Sequence, residues 1–269
     1  MADLFDLIAD LRRRGEPAAL ATIVRVLGSS PGKPAMKMLV RVDGSISGSV
    51  GGGCLEADVR EAAREVLVTE KPKLLEFSLT EEHGGNSGLL CGGKVEVFVE
   101  PLTVPVLILC GAGHVSKAVA TVADLAGFRT TVIDDRADFA NAEHFPMAAE
   151  CRAGPWEETL RDLPAGENSS VVIVTRGHRM DGDCLAWALG TAARYVGMIG
   201  SKRKIRAIYD DLLERGVGEE ALARVRAPIG LDIGAQTAEE IAVAIVAELI
   251  AVRRSTEAGG SLSGLPPSD

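Results

Sequence analysis

Residues 104–135 read VPVLILCGAGHVSKAVATVADLAGFRTTVIDD. The stretch predicts a continuously apolar strand, a glycine turn, a helix and a second apolar strand. Continuous apolar strands that alternate with helices are typical of a parallel sheet covered by helices on both faces. The alternation continues to residue 254, so the sequence predicts an α/β fold whose C-terminal part is a doubly wound parallel sheet.

The turn in this stretch carries a nucleotide-binding pattern. Gly111, Gly113 and Ser116 form a G-x-G-x-x-S variant after the strand, and Asp134 ends the next strand. In such a motif the first glycine permits a tight turn, the second lets the main chain approach a pyrophosphate, and the helix start offers N–H groups. The acid then binds a ribose hydroxyl. We therefore expect a Rossmann-like dinucleotide site, although a Rossmann fold that has changed its ligand would show the same pattern.

Two histidines follow predicted strands. His114 lies within the glycine turn, where it could contact a phosphate, act as an acid or cap the helix locally. His178 lies between two arginines in TRGHRMDGD (175–183), and these should keep its imidazole neutral for hydrogen bonding or acid–base chemistry. Single loop histidines are more often inert. Asp181, in the same segment, is expected to cap the following helix.

The segment IGSKRKIR (199–206) predicts an unusual helix start. If Ser201 is the N-cap, Lys202, Arg203 and Lys204 lie in the first turn, where each positive charge opposes the helix dipole by about 0.3 to 1 kcal/mol. An anion bound at the end of the preceding strand would compensate, so Ser201, Lys202 and Arg203 are candidate cofactor-binding residues. Side chains that simply extend into water would need no such ligand.

The chain is predicted to form two domains and a tail. Residues 1–103 read as a smaller N-terminal α+β domain, residues 104–254 as the Rossmann-like domain, and residues 255–269 as a disordered tail. Two glycine-rich stretches, at 48–59 and 89–102, lie in the first domain. Glycine weakens any element that it interrupts, so such clusters favour a binding role.

Glycine surrounds two of the five cysteines. Cys54 follows Gly52 and Gly53 at a predicted helix start, and Cys91 precedes Gly92 and a strand. A helix start favours the reactive thiolate of Cys54, and Cys91 lies between a glycine-rich loop and a strand. Both cysteines are therefore candidates for soft-ligand or sulfur chemistry and the three glycines for cofactor binding, although most cysteines without metal-ligand spacing are structural. The other cysteines are expected to be small buried hydrophobes: Cys110, Cys151 and Cys184.

Composition excludes several classes of function. With 38 acidic against 29 basic side chains the net charge is −9, which argues against nucleic-acid binding. The cysteines are odd in number and lack a CxxC pair, which argues against a disulfide framework or a zinc site. No secretory signal is visible, so we expect a cytoplasmic protein. The apolar segment at 238–254 carries three glutamates, which favours a buried helix over a membrane span.

Several blocks of the sequence resemble the xanthine dehydrogenase accessory factor family, also called the XdhC/CoxI family. The resemblance runs from Ala18 to Arg254 and rests on these blocks: GSSPGKPAMKMLV, GSVGGGCLEADV, CGGKVEVFVEPL, GAGHVSKAVA, VIDDRADFANAEHFP, VTRGHRMD, YVGMIGSKRK and APIGLDIGAQTAEEIAVAIVAELI. It implies a Rossmann-like domain joined to an N-terminal domain, commonly in a homodimer. The family motifs fall on these positions: Cys54, Cys91, Gly111, Gly113, His114 and the GSKRK loop.

The resemblance also implies a function. Members act as maturation factors for molybdenum hydroxylases: they bind molybdenum cofactor, support its sulfuration and hand it to the apo-enzyme. The implied partners are an apo molybdenum hydroxylase and a sulfur donor such as a cysteine desulfurase. The alternative is an NAD(P)-dependent oxidoreductase, with His114 or His178 as the acid. A ligand-sensing regulator ranks third, since no DNA-reading helix is evident.

Overall fold

The chain divides into two units, Met1–Val104 and Pro105–Asp269. A computed structural model describes residues 3–78 and 93–254 within them. Cys91, Gly92 and the predicted tail at 255–269 lie outside the described residues.

The first unit contains a five-stranded antiparallel sheet with strand order β3-β2-β1-β5-β4. Leu20 lies opposite Leu39 on one side and Glu100 on the other, which sets the register of the central strand. The strands are β1 (Ala18–Leu27), β2 (Lys37–Arg41), β3 (Ile46–Gly48), β4 (Lys73–Ser78) and β5 (Lys94–Pro101), and the helices are α1 (Leu4–Arg14) and α2 (Gly53–Thr69).

Helix α2 covers one face of this sheet. Alternate residues of β5 are buried, as expected for a strand with one face in the core, whereas β1 is buried continuously over residues 18–21. Ala19, Ala21 and Ile23 of β1 lie in the same core as Val95, Val97 and Val99 of β5. They pack against the apolar stripe of α2, where Leu55, Val59 and Val66 are buried. The glycine-rich stretch before α2 directly follows β3, which is an edge strand of this sheet.

The second unit contains a six-stranded parallel sheet with strand order β11-β10-β9-β6-β7-β8. Its strands are β6 (Val106–Cys110), β7 (Arg129–Asp134), β8 (Glu150–Ala153), β9 (Ser169–Ile173), β10 (Tyr195–Met198) and β11 (Val225–Arg226). Its helices are α3 (His114–Leu125), α4 (Trp156–Arg161), α5 (His178–Leu189), α6 (Lys202–Glu214), α7 (Glu219–Ala223) and α8 (Ala238–Arg253).

Both faces of the parallel sheet are covered. Successive residues of β6 enter different cores: Ile108 packs in the core that includes residues of α5 and α6, and Leu109 packs in the core that includes residues of α3 and α8. A strand buried on both faces has no polar alternation, which explains the continuous apolar run. The predicted α/β architecture, with a Rossmann-like sheet and a smaller α+β unit, is confirmed.

Strand β6 lies at the topological switch point. The chain runs outward from β6 through β7 to β8, returns to the other side of β6 at β9, and continues to β10 and β11. In open α/β sheets, ligands bind at the carboxyl ends of the strands at this point. The candidate site is therefore bounded by the turn after β6 and the loop after β9.

Some elements differ from the predictions. The α5 helix begins at His178, with Gly177 as its N-cap, so the prediction that Asp181 caps it is wrong. The short elements β3, α7 and β11 were not predicted, because two to five residues are too few to show a period. In the described part of the chain, no helix has the length and apolar character that a membrane span requires.

Candidate functional site

The glycine turn after β6 is packed between the neighbouring strands. Gly111 has φ of +114°, and a Cβ at this position would lie 2.5 Å from the Val174 carbonyl oxygen. On the other side, its N–H donates to Ile133 O at 2.7 Å. A Cβ at Gly113 would meet nothing within 4 Å. Gly111 therefore fixes the turn, while Gly113 leaves room for a ligand to approach the main chain.

Asp134 holds this turn from the end of β7. Its carboxylate is buried and accepts hydrogen bonds from the Ala112 N–H at 2.8 Å and from Arg136 Nε and Nη2 at 2.8 and 3.0 Å. Burial alone would raise the pKa of Asp134, but the hydrogen bonds from Arg136 and Ala112 outweigh it and lower the pKa. Both oxygens are engaged within the protein, and the ribose contact expected from the position of Asp134 stays a prediction.

The loop after β9 is organised by Asp181 from within α5. Asp181 Oδ1 accepts from the Thr175 N–H at 3.2 Å and from Thr175 Oγ1 at 2.7 Å, and Oδ2 forms an ion pair with Lys204. The Asp181 side chain is fully buried. Asp181 thus connects the β9 loop to α6 instead of capping a helix.

The start of α6 matches the predicted cap. Ser201 is the N-cap, and its hydroxyl accepts from the Lys204 N–H at 3.3 Å. The charge conflict in the first turn is relieved in part by Asp181, which pairs with the Lys204 ammonium. Lys202 and Arg203 are exposed and line a groove of about 840 Å³, together with Arg206, Tyr209, Leu213, Pro228 and other residues of α6 and the segment after β11.

Each of the two histidines begins a helix at the carboxyl edge of the sheet. His114 is the first residue of α3 and His178 the first residue of α5, and both are exposed. The N-caps are Gly113 and Gly177, which have no side-chain acceptor for the first N–H groups. The structure thus brings both predicted histidines to the edges of the switch-point site, where the helix starts favour an anion.

The glycine-rich stretch of the first unit forms a tight loop before α2. Gly51 has φ of +120°, and a Cβ there would lie 2.8 Å from the Gly32 nitrogen, so two loops cross closely at this point. Gly52 is the N-cap of α2 and Gly53 its first residue. Cys54 follows in the first turn and is exposed. A Cβ at Gly52 or Gly53 would meet nothing within 4 Å, so the main chain beside Cys54 is accessible.

Glu56 fixes this loop, a role that was not predicted from the sequence. Its Oε1 accepts from Ser49 Oγ at 2.6 Å and from the Gly52 N–H at 3.1 Å. A glutamate in the first turn of a helix often reaches back in this way, so the signal was present in the sequence.

The remaining cysteines are in the second unit. Cys110 and Cys184 are buried, as predicted, whereas Cys151 is half-buried. Burial, with a hydrogen bond to Cys110, raises the pKa of Cys184 well above its usual value. Burial and then the charge of Glu150 raise the pKa of Cys151. Within residues 3–78 and 93–254, no three histidine, cysteine or acidic side chains form a group that could hold a metal ion.

Family comparisons agree with the two-part architecture. The XdhC Rossmann domain matches residues 107–249, and the model of the XdhC and CoxI family matches residues 11–78. The chain belongs to the XdhC and CoxI family. The XdhC Rossmann domain therefore contains the glycine turn, Asp134, the β9 loop and the start of α6.

Three relatives extend this comparison. The chain is 34% identical to the uncharacterized protein YqeB of Escherichia coli, covering 99% of this chain and 49% of YqeB, so it spans about half of that protein's length. It is 25% identical to the molybdenum cofactor insertion chaperone PaoD of Escherichia coli, covering 94% of this chain and 88% of PaoD. A crystal structure of a xanthine dehydrogenase from Bacillus halodurans is 25% identical, with a TM-score of 0.52, covering 96% of this chain and 97% of that chain.

Proposed function

We propose that this protein is a maturation factor for a molybdenum hydroxylase of the xanthine dehydrogenase type. It binds molybdenum cofactor, as molybdopterin or its dinucleotide form, supports its sulfuration and inserts it into the apo-enzyme. The observation that carries the proposal is the match across both units to PaoD, which is named as an insertion chaperone for that cofactor. In this role the protein is a cofactor carrier and not a turnover enzyme.

The switch-point site suits a phosphate group. Gly113 leaves the main chain open, and α3 and α5 both begin at glycine N-caps beside it. Free N–H groups and the positive ends of two helix dipoles attract a phosphate. His114 and His178 lie at the same helix starts and are assigned to hydrogen bonding with this anionic part.

The loop before α2 suits sulfur chemistry. Cys54 is exposed beside open main chain, and Glu56 fixes the loop through Ser49 and Gly52. A thiolate is the side chain that suits soft metals and sulfur transfer. Cys91 and Gly92, outside the described residues, keep the same proposed role. A sulfur donor such as a cysteine desulfurase, an apo-hydroxylase and a second copy of the chain are the proposed partners.

A substitution at Gly113 tests the phosphate site. Gly113 has extended backbone with φ of −81° and room for a side chain, and aspartate is a favoured N-cap residue. Gly113→Asp should therefore fold at least as stably as the parent chain but repel a phosphate. We expect this variant to retain about one tenth of the cofactor that the parent chain retains in gel filtration, or less. A tenfold change corresponds to ~1.4 kcal/mol of binding free energy. Gly113→Ser is the neutral control, and retention by Gly113→Asp at the parental level would contradict the site.

Alanine substitutions test the proposed role of Cys54 and Cys91. Cys54→Ala and Cys91→Ala should each lose cofactor in the same assay, and Cys151→Ala is the matched control because that cysteine is half-buried in the other unit. Undiminished retention in both of the first two variants would reject the cysteine role while leaving the phosphate site standing.

An NAD(P)-dependent oxidoreductase is the second candidate, because His114 begins the helix that follows the glycine turn. Fluorescence titration with NADH and NADPH distinguishes the two functions. Tight binding with turnover supports the oxidoreductase, and binding without turnover supports the carrier.

A further inference from the structure

Arg176 links the two loops that flank the glycine turn. Its Nη2 lies 2.7 Å from Asp135 Oδ2, and the two residues are 41 positions apart. Gly111 lies between these loops, because its N–H donates to Ile133 O and its Cα faces the Val174 carbonyl. The ion pair therefore connects one side of the turn to the other, at the edge where the sheet topology favours a ligand.

Two other cations near this edge are held by buried carboxylates. Arg136 donates Nε and Nη2 to Asp134, and its guanidinium lies 3.7 Å from the centre of the Phe139 ring. Lys204 pairs with Asp181, which is fully buried. Moving either cation would leave a buried charge without its partner, so both are fixed in place.

The Arg176–Asp135 pair is different because both side chains reach solvent. Arg176 is 52% exposed and Asp135 is 28% exposed. Ion pairs of this kind are weak, because water and salt screen them. Asp135 also keeps a second cation nearby, since Arg136 Nε lies 3.8 Å from its Oδ1. Arg176 can therefore leave Asp135 without leaving an isolated carboxylate behind.

We propose that Arg176 is an anion-binding residue of the Rossmann site, and that a ligand phosphate displaces the Asp135 carboxylate from its guanidinium. A guanidinium binds phosphate with the same two-pronged geometry that it uses for carboxylate, and phosphate carries more negative charge. The inference rests on the proposed function, because it requires a phosphate-bearing ligand at the glycine turn. Asp135 then competes with the ligand and sets its affinity.

Calorimetric titration with ADP, a probe that carries a pyrophosphate, tests this exchange in the full chain. We expect Arg176→Gln to weaken ADP binding by about tenfold, because a charge-assisted phosphate contact is lost. Asp135→Asn should tighten binding by about threefold or more, because Arg176 is released. In the double variant the gain from Asp135→Asn should shrink, since there is no arginine to release. Adenosine, which lacks phosphate, should bind all four proteins with the same affinity.

The first unit supplies a matched control for charge removal. Arg25 and Glu96 form an exposed pair with side-chain exposures of 60% and 27%, close to those of Arg176 and Asp135. Arg25→Gln should leave ADP affinity unchanged. Two results would overturn the exchange while leaving the phosphate site in place. One is that Arg176→Gln binds ADP as tightly as the parent chain does. The other is that Asp135→Asn tightens ADP binding equally with and without Arg176. Absence of ADP binding to the parent chain and to Asp135→Asn would overturn the phosphate site, and the exchange with it.

Discussion

The cysteine sulfur atoms differ in the medium that surrounds them. Cys54 is exposed in the first turn of α2, whereas Cys110 and Cys184 are sealed between β6 and α5 in an apolar core. Burial raises the pKa of Cys184 well above its usual value, so that thiol stays protonated at neutral pH. Reactivity at the residue scale should follow this difference in burial.

Maleimide labelling at neutral pH, followed by peptide mass spectrometry, measures the difference in reactivity between the exposed and the buried cysteines. We expect Cys54 to be modified in the native protein and Cys110 and Cys184 only after unfolding, because the thiolate is the nucleophile and a sealed sulfur is inaccessible. Labelling of native Cys184 as fast as Cys54 would show that the core is open.

The two glycines of the turn should tolerate a methyl group differently. Gly111→Ala places a Cβ 2.5 Å from the Val174 carbonyl oxygen in a left-handed conformation, whereas Gly113→Ala has open space. We expect Gly111→Ala to lower the free energy of unfolding by at least about 1 to 3 kcal/mol. Gly113→Ala should change it by less than about 0.5 kcal/mol. Urea denaturation of both variants measures the difference, and equal stabilities would contradict the packing of the turn.

At the scale of elements, buried polar pairs join helices to strand ends. Tyr195 of β10 donates to Glu248 of α8 at 2.5 Å, and the same carboxylate oxygen accepts from the Gly230 N–H at 2.9 Å. Burial, with this hydrogen bond, raises the pKa of Tyr195 far above its usual range, so Tyr195 stays a donor. Asp181 and Lys204 join α5 to α6 in the same way on the other face.

The α5–α6 pair predicts a contrast between two neighbouring lysines. Lys204→Met leaves the buried Asp181 carboxylate without its cation, so we expect a loss of about 2 to 4 kcal/mol in the free energy of unfolding at neutral pH. Lys202→Met removes an exposed charge that opposes the dipole of α6 and should be neutral or slightly stabilising. Guanidinium unfolding curves compare them, and similar losses in both variants would argue against the buried pair.

On the scale of the whole molecule, charge limits the kinds of partner. The chain has a net charge of −9, and several of its arginines are paired with carboxylates: Arg136, Arg152, Arg176 and Arg215. A net negative charge opposes the approach of a polyanion, because nucleic-acid binding depends on an excess of basic side chains that replace counterions. The protein's anionic ligands should therefore be small ones that fit between fixed cations and helix starts.

Fluorescence anisotropy with a labelled DNA duplex tests this limit at about 0.15 M salt. We expect no DNA binding at micromolar protein concentrations, and we expect ADP to bind at the switch-point site under the same conditions. A salt-dependent rise in anisotropy with duplex DNA would contradict the expectation and favour the regulator class.

Local sequence determined the order of the longer elements, the doubly wound sheet and the cap at Ser201. The stretch at 104–135 shows its strands and helix through an apolar run, a glycine turn and helical spacing, and the cap at Ser201 needs only the Lys204 N–H three positions away. Only the tertiary structure decided which groups at the candidate site are engaged. Asp181 meets Lys204, Asp135 meets Arg176 across 41 positions, and Asp134 meets Ala112 across 22, because parallel strands bring distant loops to one edge. No local pattern encodes such pairs, since their partners are set by strand order and not by spacing along the chain.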